Sequence, residues 1–285
     1  FYVYRAKCDV KKFFFKRFKS IYPMFWIAFI IGFVFRLAEK TTSIQGIPKS
    51  HILYSVFGMD MLASSSGILT FATVGEWFLG LIIFLYLCFP LLRWLVLRAP
   101  KATAIVSILI YVLLVLFYHG PIPDSCFILF RLPEFLFGMY FIQYIKKVPP
   151  SLGLATLVVL ILNEYFKIPI NSSVATTLLG ICGFLTLVYF SKFFAFKPVE
   201  KVASVLCALS YPIFLVHHYI YTEIFRRISL SALSPFQNYL LFFICIAIVL
   251  IVSKMLDYIN SGVLHDVGNL FSTKDKIPSH EEGKP

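Results

Sequence analysis

Eight stretches of this chain are apolar over roughly the length that crosses a bilayer, about 20 residues for a helix. That repetition constrains the fold more than any other feature. The stretches lie at residues 21 to 38, 77 to 96, 102 to 118, 126 to 145, 151 to 163, 173 to 190, 204 to 222 and 236 to 253, the fifth being short. Lipid offers backbone groups no hydrogen-bonding partner, so a crossing segment must satisfy them as a helix or within a closed barrel. Runs of this length read as helices, and the expected fold class is all-α, a polytopic transmembrane helical bundle of about eight spans. Composition agrees, since 59% of the 285 residues are hydrophobic and 14% charged, against about 25% charged in soluble domains. A single water-soluble core could not hide so much apolar surface.

Residues 52 to 72 are apolar but carry Asp60 and the run Ser64-Ser65-Ser66-Gly67. They read as a re-entrant or interfacial segment, not a lipid-facing span. The formal charge of +12 would point to nucleic acid in a soluble protein; in a membrane protein its distribution matters more. Alternate connections separate the 26 basic residues into 19 on one side and six on the other, with Arg131 inside a span. By the positive-inside rule both ends are expected in the cytoplasm. The six cysteines show no paired spacing, so neither a disulfide framework nor a metal site is indicated.

The chain opens Phe1-Tyr2-Val3-Tyr4 with no initiator methionine or signal-peptide pattern, which reads as the end of a helix whose beginning is missing. The expected organisation is one membrane domain, N-terminally incomplete, over residues 1 to 255. A cytoplasmic tail follows from 256 to 285, polar, turn-rich and mobile from about Asn260. No internal repeat, Walker loop or dinucleotide-binding glycine motif is present.

Ionisable groups within spans cost about 2.5 to 3.5 kcal/mol on insertion scales, so each is a functional candidate. Arg131 and Glu134, three apart, share one helix face and can pair; the pair is either structural or functional. His217 in the seventh run is either a neutral histidine bonded to a neighbouring helix or part of an outward-facing cavity with Arg131. Both lie five residues from the outer ends of their runs, about 7 to 8 Å deep. His218 points away and reads as interfacial. Residues 5 to 19 interleave seven basic residues with aromatics directly before a span. This strip suits an anchor on anionic lipid, recognition of a phosphorylated cofactor, or, remotely, nucleic acid.

Four landmarks occur in order: KKFFFKRFKSIYPMFW at 11 to 26, GEWFLGLIIFLYLCFPLL at 75 to 92, RLPEFLFGM at 131 to 139 and SYPIFLVHH at 210 to 218. Together, over residues 10 to 255, they resemble the acyltransferase 3 family of membrane acyltransferases. The resemblance implies ten helices in the complete protein, with both termini cytoplasmic, so that two helices would precede Phe1 together with the presumed catalytic histidine. The chain alone is then expected to be inactive. It further implies transfer of an acyl group, commonly acetyl, from cytoplasmic acyl-coenzyme A to a sugar hydroxyl. The acceptor would be a cell-surface or exported polysaccharide, or its lipid-linked precursor, at the bacterial plasma membrane. Acyl-coenzyme A is the expected co-substrate, with the bilayer and a glycan as partners, and no metal or nucleic acid.

By the same resemblance Arg17 matches the first arginine of an RxxR motif before Tyr22-Pro23, with Ser20 in the place of the second. Lys16 and Lys19 flank it as point charges for coenzyme A. Trp77 matches the family's tryptophan, with Ile82 where many members carry glutamate and Glu76 beside it, and both Trp77 and Glu76 are implied substrate-binding residues. Arg131 and Glu134 match R-x-x-E-F. Ser210, Tyr211 and His217 match S-Y-x-x-Y-L-x-H, Phe214 replacing the second tyrosine. Arg131, Glu134 and His217 are the implied catalytic group, and Ser210 and Tyr211 join the acceptor site. A polytopic transporter or flippase of glycan or lipid intermediates is the alternative from another class, and a truncated, inactive remnant a third.

Overall fold

A computed structural model describes residues 9 to 38, 46 to 166 and 168 to 274, apart from the side chains of Trp77 and of residues 268 to 274. The opening residues, Arg5, Lys7, Lys40, Lys167 and residues 275 to 285, which enter the charge and tail readings above, lie outside the described residues.

Among the described residues ten α-helices follow one another: α1 Val10–Ala38, α2 Ile52–Phe57, α3 Asp60–Ser65, α4 Glu76–Arg98, α5 Pro100–Phe117, α6 Ile128–Tyr140, α7 Pro150–Phe166, α8 Ser172–Ser191, α9 Lys197–Arg227 and α10 Pro235–Lys274. No strand occurs among them. Seven helical stretches of the described residues are long and apolar enough to cross a membrane: Val10–Ala38, Phe78–Arg98, Pro100–Phe117, Ile128–Ile145, Ser172–Ser191, Lys197–Arg227 and Pro235–Val267. The expected polytopic helical bundle is therefore what forms. The fifth run folds as α7, but its 17 residues reach only about 25 Å, short of a bilayer's hydrocarbon core of about 30 Å.

Two segments depart from simple spans. Residues 52 to 65 form α2 and α3, six residues each, broken at Gly58, whose φ of 71° favours glycine. A Cβ on Gly80 would stand 2.6 Å from the Gly58 carbonyl oxygen, so that glycine lets the elbow pack directly on α4. Neither helix has the length of a span, as expected of a segment that does not cross. The residues read as a turn-rich tail from Asn260 differ more: α10 continues through Lys274. Residues 260 to 274 contain no proline, and Val263, Val267 and Leu270 recur at helical spacing. Extending a helix already nucleated in the span adds one bond per residue fixed, which outweighs the cost of Gly262 and Gly268, about 1 kcal/mol each.

The chain divides into two compact units, Phe1–Phe15, Gln45–Ala72 and Glu76–Ser204 in the first, Lys16–Ile44, Thr73–Gly75 and Val205–Pro285 in the second. The first unit has a buried cluster of Phe13, Phe89, Leu92, Val96, Leu136 and Met139, in which Phe13 stacks on Phe89 at 4.7 Å. Tyr140 donates to the Pro100 carbonyl at 2.5 Å and Tyr144 to that of Val96 at 2.8 Å, tying the α6 end of the unit to the α4–α5 corner. Helices α7 and α8 pair closely because Gly153 leaves room for Tyr189, and Thr186 donates to Thr156 at 2.9 Å. In the second unit Tyr211 on α9 donates to the Ile21 carbonyl of α1 at 3.1 Å. Gly32 on α1 gives way to Thr73, whose Cγ2 lies 2.6 Å from where a glycine Cβ would be.

Candidate functional site

The RLPEF motif lies at the start of α6. Pro133 has no N–H to donate to the Leu129 carbonyl, and on either side of it Arg131 and Glu134 face one another across a single helical turn. Arg131 Nη1 lies 2.7 Å from Glu134 Oε1, with the two side chains 11% and 29% exposed. The pair does not stand alone. Thr177 on α8 donates its hydroxyl to the same Oε1 at 2.7 Å, and Tyr111 on α5 donates to Thr177 Oγ1 at 3.2 Å. One carboxylate oxygen thus takes bonds from α6 and α8 and is linked to α5 through Thr177. The Arg131 Nε is buried and has no hydrogen-bond partner among the described residues. A buried guanidinium donor left without an acceptor costs free energy, and a ligand oxygen would satisfy it.

The polar line continues along α8. Ser173, one turn before Thr177, donates to the Asp124 carboxylate of the loop between α5 and α6. Asn171 caps the helix by accepting from the Ser173 N–H at 2.9 Å.

Glu76 opens α4 and is 2% exposed; a carboxylate at a helix N-terminus is favoured by the helix dipole. Trp77 follows it in the same helix, its side chain outside the described residues, and Ile82 is half-buried. Asp60, also buried, accepts from Ser55 Oγ at 2.5 Å. Burial pushes its carboxyl above the usual carboxylate range, partly offset by hydrogen bonds from Ser55 and Thr70.

The remaining candidates belong to the second unit. His217 is half-buried, and its Nδ1 lies 2.8 Å from the Phe214 carbonyl and 3.1 Å from that of Ile213. Carbonyls only accept, so Nδ1 carries the hydrogen in the neutral ring and Nε2 is the acceptor nitrogen. The bond goes to its own helix and not, as the sequence suggested for an inert histidine, to a neighbouring one. Ser210 is exposed and donates to the Cys207 carbonyl at 2.8 Å. Phe214 presses on Gly75, where an added Cβ would lie 2.4 Å from the ring. The second and fourth landmarks therefore meet at that glycine, and Tyr211 joins the fourth to the first through Ile21. His218 is exposed.

Lys16 and Lys19 lie three residues apart on α1 and are both exposed, while Arg17 between them is half-buried. Asp9 sets the start of this helix by accepting from the Lys12 N–H at 3.0 Å. Arg131 lies three residues after Ile128, the start of α6, and His217 ten residues before Arg227, the end of α9.

Thr177, Tyr111 and Asp124 were not among the sequence candidates. The signal Thr177 offers is that it is a polar residue in an apolar run, and nothing in the chain's order links it to Glu134.

A family model described as an acyltransferase domain, that of the acyltransferase 3 family, matches residues 1 to 256. No curated protein and no solved structure matches.

Proposed function

This chain belongs to the acyltransferase 3 family and is a multi-pass membrane acyltransferase, and on that premise we propose that it is an O-acyltransferase of the bacterial plasma membrane with both ends in the cytoplasm. It moves an acyl group, acetyl in the simplest case, from acyl-coenzyme A to a hydroxyl of a surface or exported polysaccharide or its lipid-linked precursor. The observation that carries this reading is the half-buried Arg131–Glu134 pair, hydrogen-bonded from a second helix and with the buried Arg131 Nε donor left over among the described residues.

The reaction requires a sugar hydroxyl to attack a thioester carbonyl carbon. The new C–O bond replaces the C–S bond, negative charge passes through the carbonyl oxygen, and the proton lost by the hydroxyl ends on the departing thiol. A guanidinium fixed in advance stabilises that oxygen without reorganising during the step. His217, with Nε2 as acceptor, suits a hydroxyl that must be oriented and relieved of its proton. Exposed Lys16 and Lys19, with Arg17 between them, suit the phosphates of coenzyme A. Glu76, Trp77, Ser210 and Tyr211 are assigned to the acceptor side.

The test is acyl transfer by the full-length protein in membrane vesicles, with free thiol and acylated glycan measured together. The proposal predicts one thiol released per acyl group gained, and a fall of about a hundredfold or more for Arg131→Ala. Glycan movement without release of coenzyme A would instead favour a transporter, and unchanged transfer by a well-expressed Arg131→Ala would remove that residue from the chemistry.

A further inference from the structure

The ion pair contains one contact whose direction is set from outside it. Thr177 has a single hydroxyl hydrogen, which it gives to Glu134 Oε1, so it must accept from Tyr111. The bonds run one way: Tyr111 on α5 to Thr177 on α8 to Glu134 on α6, where Arg131 Nη1 meets the same oxygen. Tyr111 is itself held by Phe130, whose ring meets it edge-on at 6.0 Å. Phe130 is 1% exposed, so this wall has little room to move.

Arg131 touches Glu134 through one nitrogen, a geometry that a guanidinium can swivel about, unlike a two-pronged fork. Whatever fixes the carboxylate therefore fixes the guanidinium. We propose that Thr177 and Tyr111 are positioning residues for the acyl transfer, which lock Glu134 so that the buried Nε edge of Arg131 is aimed at a reacting or acceptor oxygen. The inference rests on the proposed role of Arg131. It gives no role in binding the donor to either residue, and it separates orientation from the simpler task of stapling three helices.

The experiment uses the full-length protein in membranes and measures kcat and KM for acetyl-coenzyme A. Thr177→Val keeps the side chain's volume but removes the hydroxyl. Its kcat should fall about tenfold, the scale of one hydrogen bond to a charged group, with KM for the donor unchanged. Thr177→Ser restores the hydroxyl and should recover most of the loss. Tyr111→Phe keeps the ring against Phe130 and should cost about threefold, since it acts one bond further away. A mere staple would lower the amount of folded protein and leave kcat per folded molecule intact, which would overturn the inference, as would full activity in both Thr177→Val and Tyr111→Phe. If Thr177→Val fails to accumulate, Tyr111→Phe decides by the same criterion. Should Arg131→Ala prove inert while these variants work normally, the relay falls and the site stands; should Arg131→Ala work normally, both fall.

Discussion

The same Arg–Glu spacing occurs at the start of α6 and at the end of α9, in very different settings. Arg131 meets Glu134 at 2.7 Å, with 11% of the arginine side chain exposed; Arg226 meets Glu223 at the same 2.7 Å, with 50% exposed. The α9 pair has a second arginine, Arg227, at 3.5 Å, and water can replace any contact that is lost. The α6 pair has Thr177 and Tyr111 instead. Equal distance and equal spacing thus describe two unlike objects: a contact whose arginines are half in solvent, worth a few tenths of a kcal/mol, and a half-buried pair whose arginine is 11% exposed and whose carboxylate, itself 29% exposed, is also held by Thr177.

The sharpest way to break the comparison is to strand the charge. Glu134→Ala should destabilise the protein by about 1 to 3 kcal/mol, because Arg131, 11% exposed, loses its counter-ion and Thr177 its acceptor, seen as loss of folded protein in detergent melting. Joint replacement by Arg131→Met and Glu134→Leu should recover most of that stability, since apolar residues of similar volume are tolerated where a buried pair stood. The pair's removal should still abolish transfer.

Asp60 sharpens the comparison from another side, because hydroxyls and not a guanidinium face this buried carboxylate. Its folded-state pKa is raised, so its ionisation opposes folding at high pH and ceases to do so below the unfolded value near 3.8. Asp60→Asn, which still accepts from Ser55, should therefore raise the melting temperature at pH 7, with the gain shrinking towards zero as the pH falls to about 4 or below. A gain independent of pH would contradict this.

The smallest effect belongs to α9. Glu223→Gln should change stability by no more than about 0.5 kcal/mol and leave transfer alone, and moderate salt should erase even that difference.

Apolar run length made most of the fold legible, because a bilayer accepts only helices or barrels; α4, α5, α6, α8, α9 and α10 all occur where runs of that length were read. The continuation of α10 to Lys274 was not legible. Polar composition suggests a tail, whereas propagation from an existing helix depends on what precedes it. Within the candidate site, Arg131 and Glu134 could be paired from spacing alone, since a helix puts residues three apart together. Thr177 lies 43 residues from Glu134 and Phe214 meets Gly75 from even further along the chain. No periodicity encodes such meetings, which arise only once helices pack. His217 was legible as a candidate but its tautomer was not, since that depends on which carbonyl its Nδ1 reaches.

The account's central claim is that the α6 pair does chemistry and is not simply a structural ion pair. The most direct measurement is thiol release and glycan acylation by the full-length Arg131→Met, Glu134→Leu protein, normalised to folded protein in the membrane. The account predicts a folded protein with transfer reduced about a hundredfold or more. A folded double variant that transfers at the unaltered rate would reduce the pair to a structural contact no different in kind from the one on α9.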